Sequence, residues 1–121
     1  MAKHNVLGMD GETIAADYLK EHGYTIRHCN WRSGHKELDI VAEKAGELVV
    51  VEVKTRTSDR YGNPEDAVTP RKIRNIVTST DAYLRMFDID LPVRFDVITI
   101  TGSKDALHIE HIPEAFFPPV W

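Results

Sequence analysis

Between Gly8 and His22 the apolar residues Ile14, Ala15, Tyr18 and Leu19 fall on one stripe at helical spacing, and Gly23 stands where a left-handed residue would close the helix. This spacing predicts a first helix. Tyr24 to His28 alternates as a short strand, and Glu37 to Glu43 reads as a second. Lys44 to Glu47 forms a turn, after which Leu48 to Lys54 carries β-branched residues on both faces, the pattern of a strand covered on both sides. That third strand is expected at the centre of a sheet. Arg56 to Thr69 is polar, contains Tyr61-Gly-Asn-Pro64, and is expected to be a loop long enough to suspect of a role. Thr69-Pro70 supplies an N-cap followed by proline at the first helical position, and Ile73, Ile76, Val77, Leu84 and Phe87 repeat down one side of a second helix. Val93 to Thr101 alternates as a strand, Gly102 to Ala106 turns, and Leu107 to Ile112 returns. The order αβββαββ indicates an α/β fold with a mixed sheet.

The chain has 121 residues, 42% hydrophobic and 28% charged, which fits one domain and excludes a disordered or fibrous protein. No apolar run approaches the ~18 residues of a membrane helix, and the polar N-terminus lacks a signal-peptide core, so a cytoplasmic protein with no membrane partner is expected. Cys29 is the only cysteine, which excludes an intramolecular disulfide and any multi-cysteine zinc site. The net charge of -4 argues against constitutive nonspecific binding to nucleic acid. It is unevenly spread: six basic and three acidic residues between Lys54 and Arg74 give +3, which leaves -7 elsewhere. An anionic partner near this segment and a merely solvated face are both consistent with that asymmetry.

Turn geometry converts the spacing of strands two and three into a contact. With Ala45-Gly46 as a two-residue tip, cross-strand partners sum to 91 in residue number, so Asp39 faces Glu52, and Lys54 projects from the same face as Glu52. A slip by one would set these charges among valines. Two adjacent carboxylates repel unless a cation lies between them or one is protonated. Two readings remain open on the residues alone. One is an ordinary cross-strand salt-bridge cluster; the other is a Mg²⁺ site for a phosphate ester, with Lys54 facing the scissile phosphate.

Asp39 followed by Glu52-Val53-Lys54 resembles the PD-(D/E)XK motif of restriction-endonuclease-like nucleases and of archaeal Holliday junction resolvases. Gly11-Glu12, Ala16, Tyr18-Leu19, Gly23-Tyr24, Asn30, Arg32, Glu37-Leu-Asp39, Val51-Glu-Val-Lys54, Arg56, Gly62, Lys72 and Arg94-Phe-Asp-Val97 resemble, in order, the small bacterial YraN-like family of predicted endonucleases. The resemblance spans roughly residues 5 to 100. It implies a restriction-endonuclease-like αβββαβ core with a mixed sheet flanked by helices. It further implies Glu12 reaching the metal or its waters, Asp39 and Glu52 as ligands, Val53 contributing its carbonyl, and Lys54 as the catalytic lysine. Lys72 is similar to the family's downstream basic position and would contact phosphate. The cofactor implied is Mg²⁺, for which Mn²⁺ can substitute, and the partner is DNA, with branched or junction forms as the substrate by analogy. Two positions depart from the pattern: Leu38 stands for the usual proline, and Lys36 for a glycine common in the family. Neither removes a ligand.

Glu37 shares the parity of Asp39 and is either an extra carboxylate at the site or the partner of an arginine. Arg56 continues the parity of Glu52 and Lys54 toward backbone phosphate, although an arginine at a strand end is as often only solvated. Arg94 and Asp96 are expected to form a structural ion pair. His108 and His111, three apart on a strand, should face opposite sides, which argues against zinc. Cys29 is expected to be half-buried; Trp31 either stacks on a base or anchors the core edge. The apolar tail from Phe116 to Trp121 either packs on its own sheet or makes a homodimer contact. A noncatalytic nucleic-acid-binding module on the same fold is the alternative to a nuclease, and a protein-interaction adaptor using that tail is a third.

Overall fold

The computed structural model describes residues 5–6, 9–56, 68–103 and 106–118. Most of the expected loop, with Arg60 and Gly62, and the end of the apolar tail lie outside them. The elements are β1 (Asn5–Val6), β2 (Met9–Asp10), α1 (Gly11–Glu21), β3 (Thr25–Ser33), β4 (Lys36–Lys44), β5 (Glu47–Arg56), α2 (Pro70–Met86), β6 (Val93–Ser103) and β7 (Ala106–Phe116). Strands β1 and β2 pair only with each other, a small ladder the residue pattern does not announce. The main sheet has the order β3-β4-β5-β6-β7, with β5 and β6 parallel across α2 and every other pair antiparallel. This is the αβββαβ core on a mixed sheet, extended by β7. Among the described residues no helix is long and apolar enough to cross a membrane.

Helix α1 begins at Gly11 rather than near Gly8, because the Asp10 carboxylate accepts the Glu12 N–H at 3.0 Å and fixes the N-cap there. It ends at Gly23, φ +88°, where the Tyr24 N–H reaches the Leu19 carbonyl and the Gly23 N–H reaches Lys20. Ile14, Ala15, Ala16 and Leu19 pack on Ile40, Ala42, Val49, Val51, Ile98 and Ile100. On the other face α2, capped by Thr69 with Pro70 behind it, sets Ile76 and Tyr83 against Trp31, Leu38, Val41, Leu48, Val50 and Phe95. Successive β5 residues therefore enter two different cores, which is why Leu48 to Val51 contains no polar position.

The β4–β5 turn decides the register. Ala45 and Gly46 both adopt left-handed backbone, φ +53° and +80°, as a two-residue hairpin of matching twist requires. The resulting pairs run from Lys44↔Glu47 to Ile40↔Val51, all summing to 91 as the turn predicts.

Other expectations change. Strand β3 continues past His28 to Ser33, through Asn30 at φ +54°, because β4 pairs along it to Lys36. Trp31 is therefore a buried strand residue, edge-on to Tyr83 with ring centroids 5.1 Å apart, and is no platform for a base. Cys29 is exposed on this outer strand instead of half-buried. Tyr83, absent from the predicted stripe, is the most buried side chain of α2. Its hydroxyl meets His28 Nδ1 at 2.6 Å and accepts from Arg27 Nε at 3.0 Å, while Arg27 pairs with Glu43 at 2.7 Å. Phe116 stacks on Phe95 of its own sheet, so the tail starts by packing at home.

The expected Arg94–Asp96 pair forms the centre of a larger network. Asp96, 0% exposed, accepts from Arg94 Nε and Nη2 at 3.0 and 2.9 Å, from the Glu114 N–H at 3.1 Å, and bonds His111 Nε2 at 2.7 Å. Arg94 also donates to the Tyr24 hydroxyl at 2.6 Å. Burial would raise the Asp96 carboxyl, but the bonds from His111, Arg94 and the Glu114 N–H outweigh it and hold it below the ordinary range. His111 is thus engaged with Asp96, whereas His108 is exposed.

Asp96→Ala leaves Arg94 with the longer Glu47 contact at 3.5 Å and His111 without its carboxylate, and should cost about 3 kcal/mol, read as a lower urea midpoint. Ala45→Asn, which tolerates left-handed backbone, should add about 1 kcal/mol by the same measurement.

Candidate active site

Strands β4 and β5 stop pairing after Ile40↔Val51, yet β5 stays on β6 as far as Arg56 and β4 stays on β3 as far as Lys36. The two strands diverge, and the opening is a cleft of about 130 Å³ lined by Glu12, Glu37, Asp39, Glu52, Val53, Lys54, Thr55 and Lys72. Divergence removes a β4 partner from the Val53 N–H, and Asp39 Oδ2 replaces it at 2.9 Å. The face assignment of β4 also breaks here: Ile40 and Ala42 join the α1 core, whereas Leu38 and Val41 join the α2 core. Asp39 sits at that break, opposite the left-handed Asn30 between the pairs Cys29↔Ile40 and Trp31↔Leu38. Glu12 enters from the first turn of α1 and Lys72 from the first turn of α2, so both helices start beside the cleft.

The charges are crowded. Glu52, with its side chain 8% exposed, has Lys72 Nζ at 3.0 Å and Lys54 Nζ at 4.0 Å from the same oxygen, Oε1. Burial, and then repulsion from Asp39, push the Glu52 carboxyl from 4.5 up to about 7, against the opposing pull of Lys72 and Lys54. Lys72 is itself raised, since the attraction of Glu52, Asp39 and Glu37 overcomes the burial that would depress it. The Lys72–Glu52 ion pair thus falls short of compensating two carboxylates. Glu12 rises to about 7 for the same reasons, burial first, then Asp39, Asp10 and Glu37.

Carboxylates held this close suit a hard cation. Among the described residues no group of three or more His, Cys, Asp or Glu side chains forms a cage for a metal ion. Mg²⁺ needs none, because it is held by one or two carboxylates and keeps several waters. The donor chemistry of Asp39, Glu52 and the Val53 carbonyl therefore fits Mg²⁺.

Of the residues singled out from the sequence, Glu12, Asp39, Glu52, Val53, Lys54 and Lys72 line this cleft together. Arg56 ends β5 outside the lining. Glu37 takes both of its expected parts: it faces the cleft and pairs with Arg32 at 3.5 Å. Lys72 lies on Glu52 instead of standing clear for a phosphate. Thr55 also lines the cleft; as an ordinary strand residue of opposite parity to Lys54, it carries no signal in the sequence.

The chain belongs to the family described as Uncharacterised protein family UPF0102, whose model matches residues 11–100, and this is the YraN-like family the motifs resemble. It is 64% identical to a UPF0102 protein of Phocaeicola vulgatus over 121 residues, the whole of both chains. A UPF0102 protein of Flavobacterium psychrophilum is 42% identical, covering 97% of this chain and 98% of that one. Among solved structures, the Holliday junction resolvase Hjc of Archaeoglobus fulgidus matches 86% of this chain and 74% of its own, at 17% identity and a TM-score of 0.49.

A carboxyl raised on folding makes the folded state hold more protons than the unfolded one between the two values. Stability of the metal-free protein should therefore fall as pH rises from 4.5 to about 7, through Glu12 and Glu52. Thermal unfolding across that range should show the slope, and Glu52→Gln should flatten it and raise the melting temperature at pH 8.

Proposed function

We propose that this chain is a Mg²⁺-dependent endonuclease that hydrolyses DNA phosphodiester bonds, with Mn²⁺ able to replace Mg²⁺ and branched or junction DNA as its substrate. The observation that carries this reading is the convergence of Glu12, Asp39, Glu52, Lys54 and Lys72 at the divergence of β4 and β5, with Glu12 and Glu52 held at about 7. Perturbed carboxylates in a cleft, flanked by ammonium groups, form the arrangement that phosphoryl chemistry uses. The choice of DNA, and of branched forms of it, rests on the PD-(D/E)XK resemblance.

Asp39 and Glu52, with the Val53 carbonyl, would hold the ion. Bound there, Mg²⁺ supplies Lewis-acid polarisation of the phosphate and a more acidic water. Asp39 is already oriented by the Val53 N–H, so this carboxylate costs little to arrange. The Lys54 ammonium sits on the same wall as Glu52, where it can meet charge developing on a phosphate oxygen. Glu12, close to half-ionised at neutral pH, is suited to accept a proton from the attacking water. In the reaction water attacks phosphorus, the bond from phosphorus to one sugar oxygen breaks, and the departing oxygen gains a proton. Arg71 and Arg74 are exposed at the start of α2, next to Lys72 and the cleft, and offer contacts to the flanking backbone.

The test is cleavage of labelled single-stranded, duplex, flap and four-way-junction DNA in Mg²⁺, Mn²⁺ and EDTA. Cutting should need metal and fall by at least about a hundredfold in Asp39→Ala, Glu52→Ala and Lys54→Ala. Asp39→Ala should keep or gain DNA affinity, because it removes negative charge. Well-folded protein that binds DNA yet cuts none of these substrates, even in Mn²⁺, would favour the noncatalytic binding module instead.

A further inference from the structure

The cation resting on Glu52 comes from a different element than the strand that carries Glu52. Lys54 is fixed two residues away on β5, but Lys72 reaches across from the first turn of α2 and stands nearer, at 3.0 Å against 4.0 Å. The pair is unequal in exposure as well: the Glu52 side chain is 8% exposed and the Lys72 side chain 43%. One member is locked in the cleft wall and the other extends from it into solvent on a flexible four-carbon stem. An ammonium and a divalent ion at Glu52 Oε1 compete for its electron density and repel each other, so the more strongly held ion weakens the hold of the other.

We infer that Lys72 is a resident counter-cation, holding the cleft's carboxylates together until Mg²⁺ takes its place on Glu52, and that the displaced ammonium then becomes a phosphate-gripping group. This rests on the reading of the cleft as a metal centre and adds an order to it. Without metal, Lys72 offsets the buried Glu52 charge and has no hold on DNA. With metal, it swings to the exposed side of the cleft, where 43% of its side chain already meets solvent. By linkage the coupling runs both ways: a phosphate that draws Lys72 off Glu52 tightens the site for metal by the same factor. Lys72 is thus a positioning residue that ties metal loading to DNA binding.

Two measurements on the full chain test this. Brief acylation followed by mass spectrometry reads the reactivity of Lys72, with the exposed Lys36 as internal reference. Calorimetry with Mg²⁺ compares the unaltered chain with Lys72→Met, which keeps most of the stem and removes the charge. Mg²⁺ should raise Lys72 acylation severalfold relative to Lys36, and Lys72→Met should bind Mg²⁺ about tenfold more tightly, the effect of removing one adjacent like charge. A salt bridge with only a structural role would leave the acylation unmoved. Mg²⁺ uptake with unchanged Lys72 reactivity, or no tighter binding by Lys72→Met, overturns the inference and leaves the metal centre standing. An unaltered chain that takes up no Mg²⁺ overturns the metal centre and this inference together.

Discussion

Strands β4 and β5 separate after Ile40↔Val51 while their outer neighbours hold them in the sheet. Everything at the site follows from that separation. A sheet that stayed paired would fill the space with a ladder and direct Asp39 and Glu52 onto its surface as a solvated pair. Separated, the strands expose backbone that needs partners, and Asp39 supplies one by taking the Val53 N–H. The same opening admits the first turn of a helix from each face, Glu12 from one and Lys72 from the other. The cleft is built from four elements that meet only because two strands part.

Two neighbouring positions in the sheet treat buried charge in opposite ways, for Asp96 on β6 pairs with Val51, one residue before Glu52. At Asp96 the carboxylate is met by Arg94, His111 and a backbone N–H, and its ionised form is favoured despite complete burial. At Glu52 two lysines are present, yet burial, and then the nearby Asp39 carboxylate, disfavour the charged form. The first arrangement stabilises the fold and the second strains it. Retaining the strained arrangement is expected of a site that binds a cation, and unexpected of an ion-pair cluster that only decorates a sheet.

Local chemistry makes a large part of this legible in the sequence. Ala45-Gly46 defines a two-residue turn, the turn defines the register, and the register carries Asp39 toward Glu52, each step depending on residues close together in the chain. The caps at Gly23 and Thr69 are equally local. What resists reading is set by distant contacts. Asn30 tolerates left-handed backbone, but nothing nearby in the chain says that it adopts it within a strand that runs on to Ser33, and Trp31 reads as a loop aromatic because that continuation depends on β4. Tyr83 stands seven residues after Ile76, and its complete burial depends on His28 and Arg27, distant in the chain, which satisfy its hydroxyl. The places of Glu12 and Lys72 come from the family resemblance alone, since no spacing rule brings two helix starts to one strand opening.

The cleft's charge balance bears on how an acidic chain meets a polyanion. With all four carboxylates ionised, Glu12, Glu37, Asp39 and Glu52 exceed Lys54 and Lys72 by two charges, so these side chains by themselves repel phosphate. One divalent ion cancels that excess. Proton binding by Glu12 and Glu52 near pH 7 cancels part of it by another route, and therefore competes with the metal, because ligands must be deprotonated to bind. Beyond Lys54 and Lys72, the segment from Lys54 to Arg74 has four basic and three acidic residues, a balance of +1 within a chain of -4. The exposed basic residues and the charge state of the cleft therefore act on any anion separately. Salt screens the exposed basic residues far more than the buried carboxylates, which separates the two contributions physically.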